Sequence, residues 1–208
     1  MKIGIIGAGH IGGNLAQLLV KHGHDVSIAN SRGPDTLTDV AKRTGATPVT
    51  VAEAPRDADV VIVALPLKAI AGLPAGLLDT ARPGAAVIDT MNYYPQRDGQ
   101  ISPIDGGATS SRWVSEQLGR PVVKVFNNIF AQQLLDRPTP PGTGGRRALP
   151  VAGDDPATKV VVLNLVDEIG FDAVDVGGLD ESWRFQQGTP ASGPDVDAGA
   201  LVQLLAEA

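Results

Sequence analysis

Gly7, Gly9 and Gly12 stand in "GIIGAGHIGG" at the spacing G-x-G-x-x-G. That spacing does chemistry in one setting, where it leaves a strand and opens a helix whose free amides face an anion. The setting is present here. "KIGII" (2–6) reads as a short buried strand, and Ile11, Leu15, Leu18 and Leu19 then recur at helical spacing up to Gly23. The first glycine allows the tight turn, the second lets a pyrophosphate approach the backbone, and the third lets helix and strand pack closely. His10, inside the loop, either meets phosphate or caps the helix.

A second stretch, "SIANSRG" (27–33), lies where dinucleotide-binding chains commonly place the carboxylate that holds the adenosine ribose. Here the positions carry Asn30, Ser31 and Arg32. An amide does not repel a 2′-phosphate, a hydroxyl donates one hydrogen bond to it, and a guanidinium offers a planar fork matched to its oxygens. The expected ligand is therefore NADP(H).

Those residues need a scaffold, and the composition bounds it. The chain has 208 residues, 43% of them hydrophobic and 19% charged, enough for one substantial core and short for two full domains. A net charge of −6 argues against nucleic acid or an anionic membrane as partner. With no cysteine there is no disulfide, thiolate nucleophile or Cys-ligated metal, which fits a cytoplasmic location. The three histidines, all within the first 24 residues, make a poor metal site, and no metal is expected. His22 and His24 flank Gly23 and are expected to be solvated.

Further strands read at "DVSIA" (25–29), "DVVIVAL" (59–65), "AAVID" (85–89), "PVVKVF" (121–126), "ALPVAG" (148–153) and "DAVDVG" (172–177). Helical patterns lie between them at 35–45, after Pro66, at 110–119, briefly from Ala131, at 154–170 and at the C-terminus. Alternation at this rhythm predicts an α/β fold, a doubly wound parallel sheet covered on both faces. "DRPTPPGTGGRR" (136–147) is a surface loop, either a lid or a connection, and Arg146 and Arg147 on its edge are expected to be solvated.

The motifs "GAGHIG", "NSRG", "ALP", "DTMNYYPQRDG", "VVKVFNNI" and "LPVAGDDPATKVVVLNLVDEIGFDAVDVGGLDESWR" resemble the NADPH-dependent oxidoreductases related to the coenzyme F420-dependent NADP reductase, over nearly the whole chain. The resemblance implies a Rossmann-like NADP-binding domain at 1–126 and a small C-terminal α/β lobe at 127–208 that closes the acceptor cleft. It implies NADP contacts at Ala8, Gly9, His10 and Ile11, at Ser31 and Arg32 for the 2′-phosphate, and at Leu65 and Pro66. Asn92 and Asn127 to Ala131, Ile129 among them, fall near the nicotinamide and the acceptor ring. The archaeal deazaflavin enzymes carry a histidine at the position of Asn127, and "NYYPQRDG" is similar to bacterial relatives instead.

Hydride transfer between two rings needs alignment in a dry cleft more than acid–base machinery, and no catalytic residue is assigned. The expected activity is an NADP-dependent oxidoreductase passing hydride to coenzyme F420 or a flavin-like acceptor, in a homodimer. Two alternatives stay open: an NADPH-binding redox sensor without catalysis, and an NADPH-dependent flavin or ferric reductase. Tyr93 and Tyr94 either wall the cleft or pack inward, with Arg97 pairing Asp98. Asp154 and Asp155 before Pro156 read as a helix cap. Trp183 and Arg184 are candidates for cleft contact, while Lys68 and Lys124 lack the helical partner domain of lysine-using hydroxyacid dehydrogenases.

Overall fold

The computed structural model describes residues 1–208. Eight strands, β1 (Lys2–Ile6), β2 (Asp25–Ala29), β3 (Thr47–Pro48), β4 (Val60–Val63), β5 (Ala86–Asp89), β6 (Val123–Lys124), β7 (Ala148–Gly153) and β8 (Asp172–Gly177), form one sheet. Its order is β3-β2-β1-β4-β5-β6-β7-β8. The first six strands run parallel, in the order of a dinucleotide-binding doubly wound sheet. Every β4 and β5 residue is buried, as burial on both faces of a parallel strand requires.

The helices are α1 (His10–Lys21), α2 (Thr38–Thr44), α3 (Pro95–Asp98), α4 (Ser102–Asp105), α5 (Ser110–Leu118), α6 (Gln133–Asp136), α7 (Pro156–Glu168) and α8 (Ala198–Ala206). Alternate strand residues divide the core. Ile3, Ile5, Ile28, Ile62 and Ile88 pack with Leu15 and Leu19 of α1 and with Val162 and Leu165 of α7. Ile6, Val61, Val63 and Val87 face the other way, against Leu67, Ile70, Leu77 and Val114 of α5.

On that second face the helix expected after Pro66 is absent. Two 3-10 segments, Leu67–Gly72 and Leu77–Thr80, stand there instead, because Pro74, Gly72 and Gly76 interrupt any longer helix. On the same face the turn at 51–57 lies close to the strands: a Cβ at Gly4 of β1 would stand 1.9 Å from the Ala54 carbonyl oxygen.

The sheet is the doubly wound, mostly parallel one expected, with one departure: β7 pairs antiparallel with β6, and β8 follows β7 in parallel. A parallel return takes a crossover, usually a helix. The chain from 125 to 147 instead makes the wall described below, the single turn of α6 and the Pro/Gly loop. Residues 127–208, expected as a small lobe, thus extend the N-terminal sheet. They share its main core through Leu149, Val151, Leu165 and Phe171, and add a cluster of their own around Phe185, Leu201 and Leu205.

Candidate functional site

At the carboxyl edge of the parallel strands, β1 passes into α1 through the glycine loop. Gly7 has φ +117°, open to glycine, and its N–H donates to the Ala29 carbonyl at 2.8 Å, tying the loop to the end of β2. A Cβ at Gly12 would stand 1.9 Å from the Gly7 carbonyl oxygen, so only glycine lets α1 sit this close. A Cβ at Gly9 would meet nothing within 4 Å, so open space lies above the backbone there. Gly9 caps α1 without a side chain, and no acidic residue occupies the first turn, so the amides of that turn are free for an anion.

Beside the loop, the turn after β2 is built by Asn30, whose Oδ1 accepts the Arg32 N–H at 2.9 Å while its Nδ2 donates to Thr36 Oγ1 at 2.9 Å. Ser31 and Arg32 stand exposed, and the Arg32 guanidinium enters no ion pair. This turn adjoins the glycine loop but does not line the cleft described next.

A cleft of about 550 Å³ opens at the strand ends. Gly9, His10 and Ile11 border one side, Leu65 and Pro66 the loop after β4, and Asn92 the loop after β5. Asn127 to Ala131, following β6, complete the wall. The structure thus brings together most of the residues expected there. Ala8, Gly7 and Gly12 lie behind the lining, with Ala8 packed on the core. Thr90, Met91, Tyr94, Arg97, Gln187, Ser192 and Gly193 also line it.

The far wall is held by side-chain amides. Phe126 takes φ +66°, uncommon for a bulky residue, and turns the chain out of β6 into Asn127 and Asn128. Asn92 Nδ2 donates to the Asn127 carbonyl at 2.7 Å, and Asn127 Nδ2 donates back to Asn92 Oδ1 at 3.2 Å and to the Phe185 carbonyl at 2.9 Å. The buried Oδ1 atoms of Asn127 and Asn128 have no partner, an uncommon state for buried acceptors. Asn14 of α1 donates to the Ala131 carbonyl at 2.7 Å, fixing this wall to α1. Phe130 at the rim is 68% exposed, a large apolar ring with little packed on it.

Tyr94 reaches Gln187 Oε1 at 3.2 Å, linking the loop after β5 to the C-terminal segment. Arg97 pairs with Asp98 as expected, and also donates to the Asn92 carbonyl and lies 4.8 Å from the Tyr94 ring centre. Asp98 is pushed up by partial burial, but hydrogen bonds from Arg97 and the Tyr94 and Lys68 amides outweigh this and hold it below the usual carboxylate range. Tyr93 points away, its hydroxyl donating to the Gly99 carbonyl and to Asp105, and burial followed by Asp105 pushes its phenol up.

Several expectations fail here. Trp183 and Arg184 do not line the cleft; Arg184 stacks on the Trp183 ring at 4.8 Å and pairs with Glu181. Arg146 and Arg147 are buried, not solvated: Arg146 meets Asp167 and Asp172, and Arg147 donates to the Asn128 carbonyl at 3.4 Å beside Asp195. They leave the loop to enter β7, so their position at a strand start overrides their sequence neighbours. His24 is likewise no solvated turn residue; its side chain is largely buried against Glu168, and burial lowers its pKa. Of the two aspartates before α7 only Asp155 caps it, through the Ala157 and Thr158 amides, while Asp154 accepts from Leu179 and pairs with Arg112. Lys124, set aside in the sequence, lies fully buried with Asp89 and donates to the Met91 carbonyl. Its ion pair joins residues 35 apart in the chain, so no local pattern signals it.

Residues 2–93 match the family described as "NADP oxidoreductase coenzyme F420-dependent". A crystal structure of a hypothetical protein, SMa0349, from Sinorhizobium meliloti is 33% identical with a TM-score of 0.74, covering 94% of this chain and 92% of that one. A structure from Arthrobacter sp. FB24, provisionally designated an F420-dependent NADP-reductase, is 25% identical with a TM-score of 0.70, covering 86% of this chain and 85% of that one. The Escherichia coli (strain K12) protein YjhV is 44% identical over 64 residues, 31% of this chain and 47% of its own length. The chain spans about half the length, or less, of the curated relatives it matches. With the Rossmann-like sheet and glycine loop in place, the match over residues 2–93 makes this segment, a little under half of the chain, similar to the coenzyme F420-dependent NADP oxidoreductases.

Proposed function

We propose that this chain binds NADP(H) along the glycine loop and the Asn30–Arg32 turn, and passes hydride to a flat ring acceptor, coenzyme F420 or a flavin, in the cleft. One observation carries the reading: the open backbone at Gly9 and the amide wall of Asn92 and Asn127 border the same cleft. When bound, NADPH supplies the hydride. The chain's own residues bind and orient. The first-turn amides of α1 would hold the pyrophosphate, and Ser31 and Arg32 the 2′-phosphate. The unpartnered Asn127 Oδ1 offers an acceptor for a carboxamide N–H. Leu65, Pro66 and Ile129 supply apolar walls that exclude water, and residues 127–208 close the far side.

The test is NADPH oxidation with coenzyme F420, FMN and FAD offered separately, followed by absorbance of donor and acceptor. Turnover with at least one acceptor above its uncatalysed rate is expected. Tight NADPH binding without turnover would replace the enzyme by a sensor.

A further inference from the structure

We propose that Lys124 and Asp89 form a positioning pair, clamping the backbone of Met91 and so fixing the Asn92–Asn127 couple in the cleft wall. Both side chains are fully buried, and Lys124 Nζ lies 3.1 Å from Asp89 Oδ2. The two residues are direct register partners on β5 and β6, at the last step of that pairing. Beyond it the pair takes over the work of the backbone ladder. Asp89 Oδ1 accepts the Met91 N–H at 2.8 Å, and Lys124 Nζ donates to the Met91 carbonyl. Met91 therefore has both its backbone groups held by side chains from two strands. The next residue is Asn92, whose amide engages Asn127, three residues past Lys124. Thr90 is fastened separately, its N–H and hydroxyl both donating to the Val63 carbonyl of β4.

Energetics favour positioning over bulk stability. A buried ion pair gains little over well-packed apolar residues of the same volume, because desolvation offsets the attraction. Burial holds the Lys124 pKa below its usual value, with the Asp89 carboxylate opposing the shift. An apolar pair would fill the space equally well. It could not hold the N–H and the carbonyl of one wall residue together.

The inference rests on the cleft being the site of hydride transfer, and its test separates the two. The double variant Lys124→Met with Asp89→Leu is compared with wild type by thermal unfolding, amide hydrogen exchange, NADPH affinity, and kcat and KM with FMN. Expected are a folded protein, exchange at residues 90–92 faster by about tenfold or more with β1 and β4 unchanged, and kcat lower by about tenfold or more with NADPH affinity nearly intact. Unchanged exchange at 90–92 in a folded variant would overturn the clamp, and so would loosening spread evenly through the sheet. If the double variant does not fold, Asp89→Asn, which retains one acceptor for the Met91 N–H, is expected to give a smaller loosening confined to the same residues; none would overturn the proposal. Absence of turnover in wild type would sink the oxidoreductase reading alone, and exchange at 90–92 would still decide the clamp.

Discussion

Arg32 stands exposed past the end of β2 and enters no ion pair, so its charge is available to an incoming anion. Because solvent screens an exposed contact, Arg32→Ala is expected to weaken NADPH by about tenfold and NADH hardly at all; calorimetric titration of both dinucleotides checks this. Phe130 presents an apolar ring at the cleft rim. Stacking of an acceptor ring on it would be worth about 0.5–1.5 kcal/mol. Phe130→Ala should therefore raise KM for FMN about three- to tenfold and leave NADPH affinity unchanged, which steady-state kinetics at saturating NADPH reads directly. At this scale the glycine loop is legible in the sequence because its constraints are local: a positive φ at Gly7 and a close carbonyl at Gly12. Lys124 and Arg147 are not, since their burial is decided by strands distant in the chain.

Among the elements, α7 is capped by one carboxylate, Asp155, and tied to the segment after β8 by another, Asp154. The Leu179 N–H and then the Arg112 guanidinium hold Asp154 below the usual carboxylate range, and the Thr158 hydroxyl and amide do the same for Asp155 at the start of α7. A carboxyl group whose folded pKa is depressed binds protons more readily when unfolded. Its stabilisation is present above the unfolded value of about 4 and disappears as pH falls through the folded value. Thermal unfolding should accordingly drop steeply below about pH 4, beneath a shallower decline that begins below about pH 6.5, where His24, its folded pKa lowered by burial, takes up a proton more readily unfolded. In Asp154→Asn the acid limb should be shallower and Tm at pH 7 lower by only about 2 °C, the carboxylate being half exposed; melting curves across pH measure both. Strands other than the two-residue β3 read well from sequence because they are mostly apolar runs, which Thr47–Pro48 is not. The cover after Pro66 does not, because its leucines and alanines suit a helix, while Pro74 and the flanking glycines limit it to 3-10 turns.

For the whole molecule, the sheet runs without interruption from β3 to β8, and residues from Ile3 to Phe171 share one core. Unfolding is expected as a single cooperative transition, with calorimetric and van 't Hoff enthalpies equal; two resolved transitions would show that residues 127–208 fold apart. The α/β class and the edge that carries the cleft follow from alternating strands and helices. The reversal at β7 does not, because strand direction depends on the path of residues 125–147 through space. The central claim is that the cleft brings a nicotinamide and an acceptor ring together for direct hydride transfer. The most direct measurement is a single turnover with NADPH carrying deuterium on the transferred position of C4, using coenzyme F420 and FMN in turn, with mass analysis of the products. The account predicts that oxidation is slowed by the label and, with F420, that the deuterium appears on the reduced deazaflavin ring. Bound NADPH that keeps its deuterium with every ring acceptor would contradict it.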